Sequence, residues 1–125
     1  AGAHFKSLEA SATLAAANKR VGSILAKFDG ELLTAFDESI ATESQEQALS
    51  VHFNKVRATI APAIETRDYR TVLTELATLK SVIDEFFDNV MVMADDEAVK
   101  VNRLTLLSQI RGAFLNVADI SLLQG

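Results

Sequence analysis

Apolar residues recur every three or four positions along most of this chain, a spacing that places them on one side of an α-helix. The pattern is strongest over residues 69–87, where the apolar positions are Tyr69, Val72, Leu73, Leu76, Leu79, Ile83, Phe86 and Phe87. A chain of 125 residues normally forms one domain with its own core. We therefore predict one all-α domain over residues 1–125, a bundle of about four to five helices. Residues 1–6 are expected to be a tail or a cloning remnant, and the domain to be excised from a larger subunit.

Capping signals and breakers set the expected boundaries of the first two helices. The first is predicted over residues 13–28, ending where Gly30 is able to adopt a left-handed backbone. A connector follows, with a helical turn expected at residues 31–36. The second helix should start at residues 42–45, where Thr and Gln have capping-box spacing. It should end or kink two residues before Pro62, because proline lacks an N–H and disfavours helix at the preceding residue.

The second half of the chain predicts two more helices separated by an apolar segment. Asp68 is the expected N-cap of the third helix, which runs to about residue 87. Residues 90–94, Val-Met-Val-Met-Ala, are interpreted as a buried connection in which methionine fills irregular gaps. The last helix is predicted over residues 96–117, capped by the acidic residues at its start, with residues 119–123 packing as a tail.

The last helix has apolar residues over more than half of its circumference, so it should lie at the centre of the bundle. Its remaining arc is uncharged and comprises Asn102, Thr105, Ser108, Gln109, Gly112 and Asn116. Arg103 and Arg111 project within the apolar arc. Either each of these arginines extends its stem over the core and pairs with a carboxylate from the acidic blocks, or Arg103 lies at a groove edge where it is free to meet a ligand.

Charge is distributed in blocks along the chain. The net charge is −5, from 12 basic and 17 acidic residues, which by itself disfavours nucleic acid as a partner. The acidic charge is concentrated in residues 29–50 and 71–99, whereas the first and last segments are mildly basic. Since local charge matters more than the total for a binding face, a cationic face near the two ends of the chain stays open.

Residues typical of catalytic or metal sites are few. The chain has no cysteine, and its histidines, His4 and His52, lie far apart without a second ligand at metal-binding spacing. No phosphate loop, nucleophile elbow or zinc-protease motif occurs. The acid pairs at 84–85 and 95–96 are better explained by capping and solvation, because adjacent helical residues diverge by about 100°. We predict no catalytic residue, no metal site and no cofactor in this domain.

Several strings resemble one known family. Residues 14–21 (LAAANKRV) with 24–27, and residues 86–93 (FFDNVMVM), are its most specific matches. Further matches are 95–96, 102–104, 114–115 and 117–124. Together these residues resemble the DALR-like anticodon-binding domain that closes the beta subunit of bacterial glycyl-tRNA synthetase. Residues 29–67 match only in helical character and in the position of the proline.

The resemblance implies a helix bundle of the class I synthetase type, shared with arginyl-tRNA synthetase, that grips the anticodon arm of tRNA-Gly. Its expected partners are the rest of the beta subunit and the alpha subunit of an α2β2 glycine–tRNA ligase in the cytoplasm, with no membrane involved. ATP and magnesium would serve the parent enzyme at the alpha subunit, and this fragment would carry none of the aminoacylation chemistry.

Glycine anticodons carry cytosine at their second and third positions, and the bases of a single-stranded loop can be read on their pairing edges. Cytosine offers an N4 donor to a carboxylate and acceptors to Arg, Lys or Asn. The candidate RNA-binding residues are Asn18, Lys19 and Arg20 on the first helix and Lys100, Asn102 and Arg103 on the last. In this hypothesis Arg20 and Arg103 form a cationic rim where the terminal helices meet.

Each candidate also has a plainer interpretation. Asn18 could cap or bridge helices, Lys19 could be a solvated charge, and Asn102 could face water. The uncharged arc of the last helix departs from the family as we know it, and fewer cations there predict weak binding by the isolated domain. The competing hypothesis is a helical interaction or subunit-assembly domain that docks through the acidic blocks or the apolar segment at residues 90–94.

Overall fold

A computed structural model describes the backbone of residues 2–124 and the side chains of residues 9–117. Five helices follow one another: α1 (Gly2–Leu25), α2 (Ser44–Glu65), α3 (Tyr69–Ala77), α4 (Leu79–Asn89) and α5 (Glu97–Gln124). A short 3₁₀ helix, Glu38–Ile40, lies in the connector between α1 and α2, residues 26–43. Because residues 2–124 contain no strand, the predicted all-α class is confirmed.

One hydrophobic core joins the helices. α1 packs against α3 and α5, and α2 packs against α3 and α4. The largest fully buried apolar side chains are Phe53, Phe86, Leu49, Leu76, Leu79, Ile83, Leu104, Leu106, Leu107 and Ile110. Four of these ten belong to α5, so its predicted position at the centre of the bundle is confirmed.

Two predicted N-caps are confirmed. The Asp68 carboxylate accepts from the Thr71 backbone N–H at 3.3 Å and from the Thr71 hydroxyl at 2.6 Å. These hydrogen bonds, the side-chain one first, lower the pKa of Asp68. Asp96 accepts from the backbone N–H groups of Ala98 at 3.0 Å and Val99 at 3.3 Å. Both carboxylates therefore satisfy amide groups that the first helical turn leaves without partners.

The boundaries of α2 differ from the prediction at both ends. The capping box lies one residue later, since the Glu46 side chain accepts from the Glu43 backbone N–H at 3.3 Å. The helix continues through Pro62 to Glu65. Pro62 is exposed and one turn from the C-terminal end, so its ring meets solvent and only one helical hydrogen bond is lost.

The single helix predicted over residues 68–87 is interrupted at Thr78, which separates α3 from α4. The Thr78 N–H bonds to the Glu75 carbonyl at 3.1 Å, and its hydroxyl donates to the same oxygen at 2.6 Å. A side-chain hydrogen bond of this kind competes with the helical ladder and tightens the turn. The helical periodicity continues across the break because both helices face the same core.

The predicted limits of α1 and its connector were wrong. α1 starts at Gly2 and ends at Leu25, and the 3₁₀ helix lies at Glu38–Ile40 rather than at residues 31–36. No glycine among the described residues has a positive φ, so Gly30 does not form a left-handed cap. A Cβ atom there would overlap the Phe28 ring, so a larger residue would require that ring to move.

Two further segments depart from expectation. In residues 90–94, Val90 and Val92 are buried, whereas the Met91 side chain is 69% exposed and Met93 37%, so the methionines do not fill core gaps as predicted. α5 continues to Gln124 in place of ending at residue 117. How residues 119–123 pack lies outside the described side chains.

Candidate nucleic-acid interface

Arg103, a predicted RNA contact, is sealed inside the bundle. Arg103 is 6% exposed, and its partner Glu46 is fully buried. The Arg103 Nε and a terminal nitrogen each donate to a Glu46 carboxylate oxygen at 3.2 Å. The other terminal nitrogen donates to the Met91 carbonyl at 2.8 Å. The interpretation of Arg103 as a core-spanning partner of a carboxylate is confirmed, and the groove-edge alternative is wrong.

Asn102 and Thr105 do not lie on an outward arc as predicted, because the connector covers this part of α5. The Asn102 side chain accepts from the Asp37 backbone N–H at 2.7 Å and donates to the Asp37 carbonyl at 2.9 Å. The Thr105 hydroxyl accepts from the Leu33 N–H at 3.0 Å. Asn102 is fully buried. These residues fasten the connector to α5, and neither presents a free polar group to a ligand.

Arg20 lies on the side of α1 that faces α4. Its guanidinium donates to Asp84 at 2.9 Å and lies 3.8 Å from Asp88, while its central carbon is 4.5 Å from the centre of the Phe87 ring. The side chain remains 45% exposed. The hydrogen bond from Lys80, and then the one from Arg20, lower the pKa of Asp84. Arg20 is therefore accessible, but two carboxylates offset its charge.

The contact between α1 and α5 brings together other cations than those predicted. The Arg111 guanidinium lies against Gly22, where an added Cβ would come within 3.1 Å of Nε. Lys100, three turns earlier on the same stripe of α5, lies 5.5 Å from the centre of the Phe28 ring and pairs with Glu97 at 3.0 Å. We call Asn18, Gly22, Lys100 and Arg111 the α1–α5 seam.

Two polar atoms of the seam are buried without hydrogen-bond partners in the described part of the chain, the Asn18 Oδ1 and the Arg111 Nε. No carboxylate among residues 9–117 lies within ion-pair distance of Arg111. Lys19, next along α1, is exposed and likewise forms no ion pair with those residues. Within the described residues the seam thus holds one cation without an ion pair, Arg111, and one whose charge Glu97 offsets, Lys100.

The cationic rim of Arg20 and Arg103 does not form, because Arg20 binds α4 and Arg103 binds Glu46 of α2. Arg111 has no carboxylate partner among residues 9–117, contrary to the prediction, and its place in the seam was not foreseen. One available signal was its spacing of 11 residues from Lys100, about three turns, which puts both on one edge of the helix. Arg57, described below, was also missed, since only the tertiary structure brings it beside α5.

Comparison with known proteins gives this bundle a family. A family model described as the DALR anticodon binding domain matches residues 14–121, most of the chain and all five helices at least in part. The chain belongs to the DALR anticodon-binding domain family. The predicted relationship is thereby confirmed.

Two curated relatives of this DALR domain bear the same name. It is 59% identical to the glycine–tRNA ligase beta subunit of Photobacterium profundum over 121 residues, 97% of this chain and 18% of the relative. It is 57% identical to the subunit of the same name from Colwellia psychrerythraea over 120 residues, 96% of this chain and 17% of the relative. The chain thus spans less than a fifth of these relatives.

The described residues lack two features of other kinds of site. No group of three or more His, Cys, Asp or Glu side chains there is arranged to hold a metal ion. None of the helices, within the same residues, combines the length and hydropathy needed to cross a bilayer. His52, one of the two histidines, bonds through Nε2 to the Thr78 hydroxyl at 2.8 Å, next to the break between α3 and α4.

Proposed function

We propose that this chain is the tRNA-binding part of a glycine–tRNA ligase beta subunit, that it recognises the anticodon arm of tRNA-Gly, and that it carries out no chemistry itself. The observation that supports this is the family match over residues 14–121, together with 59% identity to a beta subunit. Its proposed partners are the remainder of that subunit and the alpha subunit of an α2β2 enzyme, where ATP and magnesium serve aminoacylation.

The α1–α5 seam and the exposed Lys19 next to it on α1 are the proposed contact with the RNA backbone. Lys19, Lys100 and Arg111 meet phosphates, because RNA affinity depends on cations that displace condensed counterions. Asn18 adds a polar group between the two helices. Arg20 contributes less than Arg111, since an RNA phosphate must compete with Asp84 and Asp88 for its guanidinium.

Fluorescence anisotropy of labelled tRNA-Gly, measured over a salt series, tests this proposal. Arg111→Ala should weaken binding and lower the salt slope by about one, the value for a lost phosphate contact. Arg20→Ala should have a smaller effect. Lys55→Ala, which removes an exposed cation of α2 outside the seam, is the matched control and should leave binding unchanged. Circular dichroism verifies that each variant is folded.

The same titration with the two anticodon cytosines replaced by uracil tests recognition. The proposal predicts weaker binding of the substituted tRNA. Equal, salt-labile binding of both RNAs would remove the claim of anticodon recognition, and no binding of either at low salt would remove the tRNA-binding function itself.

Subunit assembly is a second candidate function, and the exposure of Met91 supports it. An exposed methionine beside the buried ion pair, whose Arg103 bonds the Met91 carbonyl, offers a flexible apolar contact for a partner. Met91→Ser should weaken association with the other subunit in a co-purification assay and leave tRNA binding unchanged if this surface serves assembly. Unchanged association would exclude Met91 from such a contact.

A further inference from the structure

A small pocket lies on the other side of α5 from the α1–α5 seam. Its volume is about 170 Å³, below the roughly 300–1,000 Å³ of sites for drug-sized ligands, so it suits a single planar ring. The connector, α2 and α5 contribute its polar and aromatic lining, which includes Phe36, Glu38, Ser50, Asn54, Arg57 and Gln109. We call this site the Arg57 pocket.

The Arg57 pocket is organised by a chain of hydrogen bonds. One Glu38 oxygen, Oε1, accepts from the Ser50 hydroxyl at 3.2 Å and from the Asn54 amide at 3.4 Å. The Asn54 carbonyl oxygen accepts from Arg57. The Arg57 guanidinium carbon lies 4.5 Å from the centre of the Phe53 ring, which holds it in place. Both charged groups are therefore oriented before any ligand arrives.

Neither charge of the pocket has an ion-pair partner in the described part of the chain. Among residues 9–117, no cation lies within ion-pair distance of Glu38, and no carboxylate lies within that distance of Arg57. The second Glu38 oxygen, Oε2, accepts no hydrogen bond from the same residues. The pocket thus presents a strong acceptor beside guanidinium donors, with the Phe36 ring in its lining.

This arrangement matches the pairing edge of one pyrimidine. Cytosine carries an amino donor at N4 next to ring and carbonyl acceptors. Uracil has a carbonyl at the corresponding position. Its oxygen would face the Glu38 carboxylate, and two acceptors without a hydrogen between them repel each other. A single-stranded base can leave its stack and lie against an aromatic ring while its edge is read.

We propose that the Arg57 pocket binds one extruded cytosine of the RNA loop, with Glu38 accepting from N4, Arg57 and Gln109 donating to the acceptors, and Phe36 stacking on the ring. This inference rests on the proposed function and assigns its base-reading site. The pocket and the α1–α5 seam flank α5, whose diameter with side chains is about 10–12 Å. A loop that crosses the uncharged surface around Gly112, where a Cβ would meet nothing within 4 Å, can reach both.

The test compares binding of anticodon stem-loop RNAs in which the second or third anticodon base is cytosine, uracil or guanine. The unaltered chain should prefer cytosine to uracil at one of these positions by about 5- to 150-fold, the range for a good base-specific contact. Glu38→Gln should bring that preference to within about twofold or reverse it, because an amide can donate to the uracil carbonyl. Phe36→Leu should weaken the binding of the cytosine and uracil RNAs alike, because it removes the stacking ring but keeps an apolar side chain.

Glu31→Gln is the matched control, since it removes the same charge from the same connector at an exposed position outside the pocket. It should leave the cytosine preference intact. Gln109→Ala, on α5 rather than on the connector, should reduce the preference without any change in connector structure. Thermal unfolding of each variant verifies the fold.

The outcomes separate this inference from the proposed function. Absence of RNA binding by the unaltered chain would overturn both. A cytosine preference that survives Glu38→Gln and Gln109→Ala would overturn the pocket and leave the anticodon-binding function standing. A preference for guanine at both positions would likewise overturn the cytosine assignment.

Discussion

Removing Arg103 should destabilise the domain severely without a direct effect on RNA binding. Arg103→Met leaves the Glu46 carboxylate fully buried, with the Glu43 backbone N–H as its remaining described donor. Breaking a buried ion pair from one side costs about 3–5 kcal/mol, because the other charge stays buried and unpaired. Since the free energy of unfolding of a small domain is about 5–15 kcal/mol, this single change should remove a large part of it.

The double variant Glu46→Leu/Arg103→Met separates the cost of an orphaned charge from the value of the pair. Two apolar residues of similar volume fill the site, and buried ion pairs are often replaced in this way at little cost. The helix-capping bond of Glu46 to Glu43 is lost as well, a loss typically of about 1 kcal/mol. The double variant should therefore be more stable than either single variant.

Urea denaturation followed by circular dichroism measures all three free energies of unfolding. A cost below about 1 kcal/mol for Arg103→Met, or a double variant less stable than both single ones, would refute the predicted cost of a buried, unpaired charge. Anisotropy under conditions where Arg103→Met remains folded should show unaltered tRNA binding. A folded variant that loses RNA affinity would restore the sequence-based expectation that Arg103 meets the ligand.

Three further variants test other parts of the structure. Asn102→Ala should cost about 1–3 kcal/mol in urea denaturation, because two bonds that fasten the connector at Asp37 are lost; exposed Asn116→Ala on the same helix should be neutral. Pro62→Ala should stabilise the domain by up to about 3 kcal/mol, since alanine restores a helical donor inside α2; a lower thermal midpoint would contradict this. Asp84 has a lowered pKa, caused first by Lys80, so its contribution to stability is present above the unfolded-state pKa and is lost as pH falls through the folded-state value. Asp84→Asn should accordingly reduce the loss of stability between pH 5 and about pH 2, and an unchanged pH profile would argue against the Asp84 contacts.

The sequence predicted most of the fold because its signals are local. Asp68 and Asp96 cap helices through hydrogen bonds to residues two or three positions away, and such bonds depend on neighbours in the chain. The helix was predicted to end before Pro62, yet it continues to Glu65. Pro62 is exposed near the C-terminal end of a helix that packing holds in place, and the local sequence does not show this. The break at Thr78 leaves the apolar stripe unbroken and so gave no periodic signal.

The candidate site was less predictable because it depends on which helix faces which. A helical wheel gave Asn102 and Gln109 the same outward arc, yet the connector buries Asn102 and leaves Gln109 in the Arg57 pocket. Arg103 and Arg111 were both placed in the apolar arc, and a carboxylate 57 residues from Arg103 separated their roles. No spacing along the chain encodes that partner.

The amino-acid order alone determined that this chain forms helices with a common apolar side, where two of them start, and to which family it belongs, since each depends on neighbouring residues or on strings that persist among relatives. The tertiary structure decided which cations remain accessible. Charges become neutralised or exposed according to the groups that packing brings beside them, so Arg103 was sealed by Glu46 while Arg57 and Arg111 were left at the two edges of α5.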